Sequence, residues 1–322
     1  MIVTFDGPLA ASAYELLGVA TTVSDDELRR AYRLRLRQTH PDTGGDAALF
    51  IRVQRAWEQI GSSEARAAYD RGRDTGGQWA SAPTTRAWTG TRPRTTSYGQ
   101  AGAWRRRRYR EMLRAHLGRE LTDAEAHDPA IVRAAPWEVR RLLADALAEE
   151  ATASAIDGLG IGFTAWHDVD CGVAWGDPDA ADASVTGGGA ILKLDHVVLA
   201  PSGLYGLMSE DFGGDVRFRQ GEVIGATVGA STPIADLLTR MRVISRAARV
   251  RFGGAILILP DEDLHDAVAS LGRVRSIPVT VVRRSALRTV LRNGAPGARM
   301  LGGNEVFDVR TRLTQAVRVL TE

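Results

Sequence analysis

Residues 24–60 read SDDELRRAYRLRLRQTHPDTGGDAALFIRVQRAWEQI, and this stretch decides the fold of the N-terminal part of the chain. Ser24 stands three residues before Glu27. That spacing is a capping box, with Ser24 offering a side-chain acceptor and Glu27 reaching back to the cap. A helix is therefore predicted from Asp25 to about Thr39. Leu28, Ala31, Tyr32 and Leu36 recur at three- and four-residue spacing and should face inward. Arg30, Arg33 and Arg37 form a separate, solvent-facing stripe. Pro41 stops the helix at or before His40. Asp42, Gly44 and Gly45 supply turn chemistry, and a second long helix follows from about Asp46 to Ile60. Phe50, Val53, Trp57 and Ile60 make its apolar seam, with Ala56 allowing close approach.

Working outward, SAYELLGV (12–19) gives a short helix ended by Gly18, and EARAAYD (64–70) gives another with Ser63 as its expected cap. The result is a small four-helix bundle whose two long helices pack around Tyr32, Phe50 and Trp57. His40 and Asp42 share the tight turn. One imidazole and one carboxylate fall short of the three ligands a metal site needs, and no nucleophile or pocket goes with them. A recognition tip beside an arginine stripe is the sounder reading: the stripe steers an acidic partner surface and the tip fixes register.

The segment YELLGV…SDDELRRAYRLRLRQTHPDTGGDAALFIRVQRAWEQIGSSEARAAYDRG resembles a J domain, over about residues 10–72. The resemblance implies stimulation of ATP hydrolysis by a heat-shock chaperone ATPase. It assigns the docking loop to His40, Pro41 and Asp42, and the basic surface of the second helix to Arg30, Arg33 and Arg37. This chain departs from the family after AYR. Leu34 stands where a basic contact is usual, and Arg35 stands at a usual core position, from which its charge is expected to snorkel outward.

Residues 73–100 are rich in Gly, Thr, Pro and Arg and carry no apolar period, so a flexible linker is expected, in which Trp79 and Trp88 are read as carrying no role, with weak docking anchors as the alternative. Residues 101–144 read as a helical connector. Within it Arg105 to Arg108 are consecutive, and a solvated helix face is the expectation for them, with a phosphate or acidic partner as the alternative. A further helix spans 137–157, with Leu142, Leu143, Leu147 and Ala151 near one face. After Gly158 the period shifts toward two. Strands are predicted at 163–169, 190–200, 203–209, 222–228, 254–260 and 277–283, with helices at 233–248 and 285–294. An α/β domain with a mixed sheet, over residues 145–322, is the fold expected.

Inside that domain Glu149 lies on a helix, HDV follows at 167–169, and LDHVVLAPSGLYGLMSEDFGG occupies 194–214. An Asp on one strand and an acid two residues before a lysine on the next would hold a divalent ion and steady a phosphate. Here the second strand offers Met208, Ser209 and Glu210. Methionine does not hold a hard divalent ion, and Glu210 has the wrong sign for a phosphate. Alternation places Met208 and Glu210 on one face. His196 points away from Asp195 and is read as structural.

Residues of about 145–290 resemble the nuclease-related domain, NERD, of the restriction-endonuclease-like superfamily. The resemblance rests on LDHVVLAPSGLYGL followed by GG. The family's Gly-Glu on the first helix is matched by Ala148-Glu149, its strand Asp by Asp195, and its acid-x-Lys falls on Met208-Ser209-Glu210. It implies phosphodiester cleavage. With two polar roles lost, Glu149, Asp195, Met208 and Glu210 are read as a degenerate nuclease-like site.

The whole chain has 322 residues, with 44% hydrophobic and 25% charged residues and a formal net charge of +2, an ordinary globular composition that marks no nucleic-acid binder by itself. Of 41 basic residues only Lys193 is a lysine. A single cysteine, Cys171, rules out an internal disulfide and fits a reducing cytoplasm. No signal peptide or membrane span is read, and no membrane partner, cofactor or metal is expected. The fold class is thus multidomain: a small all-α J-domain bundle plus an α/β mixed-sheet nuclease-like domain. The function expected is that of a cytoplasmic, non-enzymatic co-chaperone whose C-terminal domain binds a client protein or targets the chain. A nucleic-acid-binding adaptor and an active metal-dependent nuclease stand as alternatives.

Overall fold

The computed structural model describes residues 12–40, 46–74, 94–172 and 193–320. Pro41, Asp42, Trp79 and Trp88 lie outside them. The chain divides into two compact units, Met1–Ser81 with Leu113–Arg140, and Ala82–Met112 with Arg141–Glu322.

The first unit opens with α1 (Ala13–Leu17), α2 (Asp25–Thr39), α3 (Ala47–Ile60) and α4 (Ser63–Asp74). Both of the first two helices start with a capping box. Ser12 and Glu15 close α1, and Ser24 and Glu27 close α2. Gly18 ends α1 at φ 70°, a conformation that favours glycine. The cap of α4 is Ser62, whose Oγ accepts from Ala65 N at 3.1 Å, and not Ser63, which is already helical. Leu28, Val53, Ala56 and Ile60 form the core with Ala13, Tyr14 and Leu17 from α1. Tyr32 stacks on Trp57, ring centroids 4.4 Å apart. Sequence patterning did not bring out the role of Tyr14, whose hydroxyl donates to Asp70 at 2.8 Å and accepts from Arg66 Nε at 3.0 Å, tying α1 to α4.

Two helices cross from one unit to the other along the chain. They are α5 (Ala103–Leu117) and α8 (Trp137–Asp157), with the short α6 (Asp123–Ala126) and α7 (Pro129–Ala134) between them.

The second unit is built on a seven-stranded mixed sheet, in the order β1-β2-β3-β4-β7-β9-β8. The strands are β1 (Thr96–Tyr98), β2 (Thr164–Asp170), β3 (Lys193–Ala200), β4 (Gly203–Ser209), β7 (Gly254–Leu259), β8 (Val268–Val274) and β9 (Ile277–Arg283). The strands β2, β3 and β4 form an antiparallel meander, while β7 is parallel to both β4 and β9. A separate hairpin pairs β5 (Arg217–Arg219) with β6 (Glu222–Ile224). The helices α9 (Pro233–Ala248), α10 (Leu287–Asn293) and α11 (Gly303–Ala316) complete the unit.

The period-two alternation of β4 sends its side chains into two cores. Leu204 and Met208 pack with Ile234, Leu237 and Met241 of α9. Tyr205 and Leu207 pack with Ile156 of α8 and Leu287 of α10. Gly206 permits the close approach of α9, since a Cβ there would lie 2.5 Å from Met241 Cγ.

Several expectations are corrected. Thr96–Tyr98 pair with β2, so the expected linker over 73–100 gives way to a sheet strand before its end. The connector expected over 101–144 is divided, because the first part of α5 belongs to the sheet unit. The strand expected at 222–228 covers only 222–224. Both β5 and the edge strand β8 were missed because exposed polar residues break their apolar alternation.

Candidate functional site

In the helical unit, α2 ends at His40, whose backbone is extended (φ −64°, ψ 128°) as a residue before proline must be. Its ring meets Phe50 edge-on at 5.1 Å, so α3 fixes the imidazole's direction. Arg30, Arg33 and Arg37 are all exposed on α2, the expected stripe. At 1.5 Å per residue it runs about 15 Å from Arg30 to His40. Leu34, beside that stripe, is 58% exposed. Arg35 is half-buried and lies along the Gly18 turn, where a Cβ would stand 3.2 Å from its Nη2. Its aliphatic stem thus covers the bundle while its charge reaches the edge.

In the sheet unit, Glu149, Asp195 and Glu210 do converge, but around cations that the sequence reading had not placed there. Arg105, 1% exposed, projects from α5 into the carboxylates. Its Nη1 lies 2.5 Å from Asp145 Oδ2 and its Nη2 3.0 Å from Glu210 Oε1. Its Nε lies 2.6 Å from Glu149 Oε1, an ion pair without hydrogen-bond alignment. Lys193, fully buried on β3, donates to Glu149 Oε2 and Asp168 Oδ1 at 2.5 Å each, and to Asp195 Oδ1 at 3.2 Å. Arg141 pairs with Asp145 at 3.0 Å and with Glu210 at 2.5 Å.

Backbone amides complete the shell. Gly102 N donates to Glu149 Oε2 at 3.1 Å, Ser209 N to Asp195 Oδ2 at 2.8 Å, and Trp104 N to Asp168 Oδ2 at 3.1 Å. Asp168 stands in β2 at φ 49°, a strained position for a non-glycine residue that is held by these partners.

The electrostatics follow from burial and from these pairings. Burial pushes the Asp195 carboxyl up, but Lys193 and Arg105 outweigh it and hold the group below the usual carboxylate range. Glu210 is likewise held low against burial by Arg105 and Arg141. Asp145 goes the other way, to about 7, because burial and the Glu210 charge outweigh Arg105 and Arg141. Burial would lower Lys193, but Glu149, Asp195 and Asp168 keep it protonated.

This donor set does not suit the divalent ion that a nuclease resemblance implies. Each carboxylate oxygen of Asp145, Glu149, Asp195 and Glu210 already faces a guanidinium, an ammonium or a backbone amide. Among the described residues, no group of three or more His, Cys, Asp or Glu side chains could hold a metal.

The other sequence-marked residues separate from this cluster. Met208 packs in the α9 core, with Sδ 3.1 Å from Arg240 Nη1. The expected sharing of a face with Glu210 fails because β4 ends at Ser209, and Glu210 turns toward Arg105 and Arg141. His196 is buried against His167, Nδ1 to Nδ1 2.8 Å, and burial lowers His167 to about 4. The solvated-face reading of Arg105–Arg108 fails for its first two members. Arg105 is buried as above, and Arg106 pairs with Glu150. Asp145, Asp168, Lys193, Arg105 and Arg141 were missed as a group because they come from two helices (α5, α8) and two strands (β2, β3) far apart in sequence. The signals were the uniqueness of Lys193 among 41 basic residues, the HDV at 167–169 that holds Asp168, and the acidic-partner alternative for Arg105–Arg108.

Residues 12–70 match the DnaJ domain family and are a J domain. Chaperone protein dnaJ A6 of Oryza sativa subsp. japonica is 45% identical over 58 residues, which are 18% of this chain and 14% of that protein. Chaperone protein DnaJ of Bordetella petrii is 44% identical over 62 residues, 18% of this chain and 17% of that protein. Chaperone protein DnaJ of Synechococcus sp. is 42% identical over 66 residues, 20% and 18%. The chain therefore spans less than a fifth of the length of these curated relatives. No solved structure gives a significant match.

Proposed function

We propose that this chain is a cytoplasmic co-chaperone whose J domain stimulates ATP hydrolysis by a heat-shock chaperone ATPase. The observation that carries the reading is His40 at the end of α2, its ring fixed by Phe50, with Pro41 and Asp42 next in sequence and Arg30, Arg33 and Arg37 exposed behind it. In this reading the arginines attract an acidic chaperone surface and the His40-Pro41-Asp42 loop sets register. A steady-state ATPase assay with a DnaK-type chaperone tests it. His40→Gln and Asp42→Asn should each abolish stimulation while leaving helicity intact, because His40 lies just past the end of α2 and neither change removes a side chain of the apolar core. Stimulation equal to that of the unaltered chain by both variants would refute the role.

The C-terminal unit is proposed to be a nuclease-related fold that no longer cleaves and serves instead as a client-binding or targeting module. Its support is the pairing of every cluster carboxylate with Arg105, Arg141, Lys193 or a backbone amide, which sets fixed cations where a metal would have to bind.

A further inference from the structure

We propose that the C-terminal unit carries a single-stranded nucleic-acid-binding face, made by the β5–β6 hairpin, the β8–β9 turn and the exposed stripe of α9. The charge pattern is lopsided there. The hairpin (217–224), α9 (233–248) and the β8–β9 turn (273–276) carry seven arginines, Arg217, Arg219, Arg240, Arg242, Arg246, Arg273 and Arg275, against two acids, Glu222 and Asp236. In a chain with net charge of only +2, this is a local excess and not a general one.

The fold brings the relevant parts together. Thr232 offers no side-chain cap to α9, and Glu222 of the hairpin takes that place, accepting from Ile234 N at 2.8 Å and Ala235 N at 3.0 Å. The hairpin is thereby fixed to the start of α9, and its one acid is spent on the helix. The hairpin turn also lies against β8, since a Cβ on Gly221 would stand 2.8 Å from Val274 Cγ2. Beside it, Arg275 in the β8–β9 turn reaches Thr239 on α9 at 3.5 Å. Thr239, Arg242 and Arg246 follow at helical spacing on the exposed side of α9. From Ile234 to Arg246 the helix rises about 18 Å.

Arg217, Arg219, Arg242, Arg246, Arg273 and Arg275 are all exposed, and none forms an ion pair among the described residues. Unpaired guanidinium groups in a row suit phosphates, which they grip through their planar fork of donors. Phe218 lies on the other side of the hairpin from Arg217 and Arg219, level with its cross-strand partner Val223, and stays 36% exposed, an aromatic surface open to a base. A lipid surface fits less well, because the apolar side of α9 (Ile234, Leu237, Leu238, Met241, Ile244) is spent on the core and leaves nothing to insert.

The test is fluorescence anisotropy with the full chain and a labelled 20-nucleotide single-stranded DNA or RNA, from about 50 to 300 mM salt. If four to six phosphates are neutralised, log affinity should fall against log salt with a slope of about −3 to −4. The variant Arg242→Glu/Arg246→Glu/Arg273→Glu/Arg275→Glu should bind at least tenfold more weakly, with an unchanged circular-dichroism spectrum. A charge-matched control away from the face, Arg29→Glu/Arg108→Glu/Arg114→Glu/Arg119→Glu, all exposed residues, should bind within twofold of the unaltered chain. Absence of salt-dependent binding, equal loss in the control, or tighter binding to polyglutamate or to phosphatidylglycerol vesicles would each overturn the proposal. If the four-arginine variant loses its fold, Arg242→Gln/Arg275→Gln carries the same comparison with less perturbation.

Discussion

Lys193 Nζ on β3 lies 2.5 Å from Glu149 Oε2 on α8, and neither side chain reaches solvent. The pair ties the meander to the helix that packs over it, and Asp168 and Asp195 share the same ammonium. An ammonium is strongly hydrated, so its burial is tolerable only with several carboxylates around it.

Removing that charge should therefore cost far more than one surface ion pair. Lys193→Met leaves Glu149, Asp168 and Asp195 facing one another with a cation gone. The expected loss is about 3–5 kcal/mol for the sheet unit, the range for breaking one side of a buried ionic cluster. Urea unfolding followed by circular dichroism measures it, and a midpoint unchanged from the unaltered chain would contradict the role given to Lys193.

The buried histidines predict a pH dependence with a definite sign. Burial lowers His167 from 6.5 to about 4. Between those values the unfolded chain takes up a proton that the folded chain refuses, so this group's contribution is present above about 6.5 and lost as pH falls toward 4. For a single group the full span is about 3 kcal/mol. Asp145 acts in the opposite sense, because its carboxyl is raised to about 7 and its contribution fades as pH rises toward that value. Comparing His167→Gln with the unaltered chain cancels the Asp145 effect. The variant should lose less stability between pH 6.5 and 4.5, and identical slopes would count against a neutral buried His167.

Local chemistry explains how much of this was legible beforehand. Ser24 with Glu27, Gly18, and the Pro41 stop are interactions within a few residues, so they bounded α1 and α2 correctly. The apolar runs at 203–209 and 277–283 gave β4 and β9 to the residue, because both are buried on two faces. Edge strand β8 was invisible for the converse reason. Ser270, Gly272 and Arg273 face solvent and break the apolar alternation of the half-buried Val268, Leu271 and Val274, so that only pairing with β9 shows the stretch to be a strand. The site divided along the same line. Glu149, Asp195 and Glu210 could be marked from spacing, whereas Arg105 meets them only across 44, 90 and 105 residues of chain, and its three arginine neighbours made it look like a solvated face.

Charge steering on the J domain gives another expectation. Arg30, Arg33 and Arg37 are exposed, so their attraction to an acidic chaperone surface should be screened within about 8–10 Å at physiological salt. Affinity for the chaperone should fall several-fold between about 50 and 300 mM salt, mostly through slower association. Arg30→Ala/Arg33→Ala should flatten that dependence. Surface plasmon resonance at three salt concentrations separates the two rates, and an affinity indifferent to salt would remove the steering role.

The last expectation is that the sheet unit does not cut nucleic acid, and that Arg105 is one reason. A divalent ion needs several oxygen ligands at about 2.0–2.6 Å. Here the Arg105 guanidinium already stands among Asp145, Glu149 and Glu210, and Lys193 stands between Glu149, Asp168 and Asp195. Any ion entering would meet fixed positive charge at close range. At an effective dielectric of about 20, two like unit charges roughly 4 Å apart repel by on the order of 4 kcal/mol. Met208 adds nothing as a ligand, since it is committed to the α9 core. The full chain incubated with supercoiled plasmid and manganese should leave the plasmid intact. Metal-dependent nicking that disappears in Asp195→Ala would overturn the reading. Removing the cations asks the converse question. In Arg105→Ala/Lys193→Ala the carboxylates lose their partners, so manganese should bind with measurable heat and raise the melting temperature, as any ligand of the folded state does. The unaltered chain should show neither effect, and manganese stabilising both chains equally would mean that Arg105 and Lys193 do not exclude the ion.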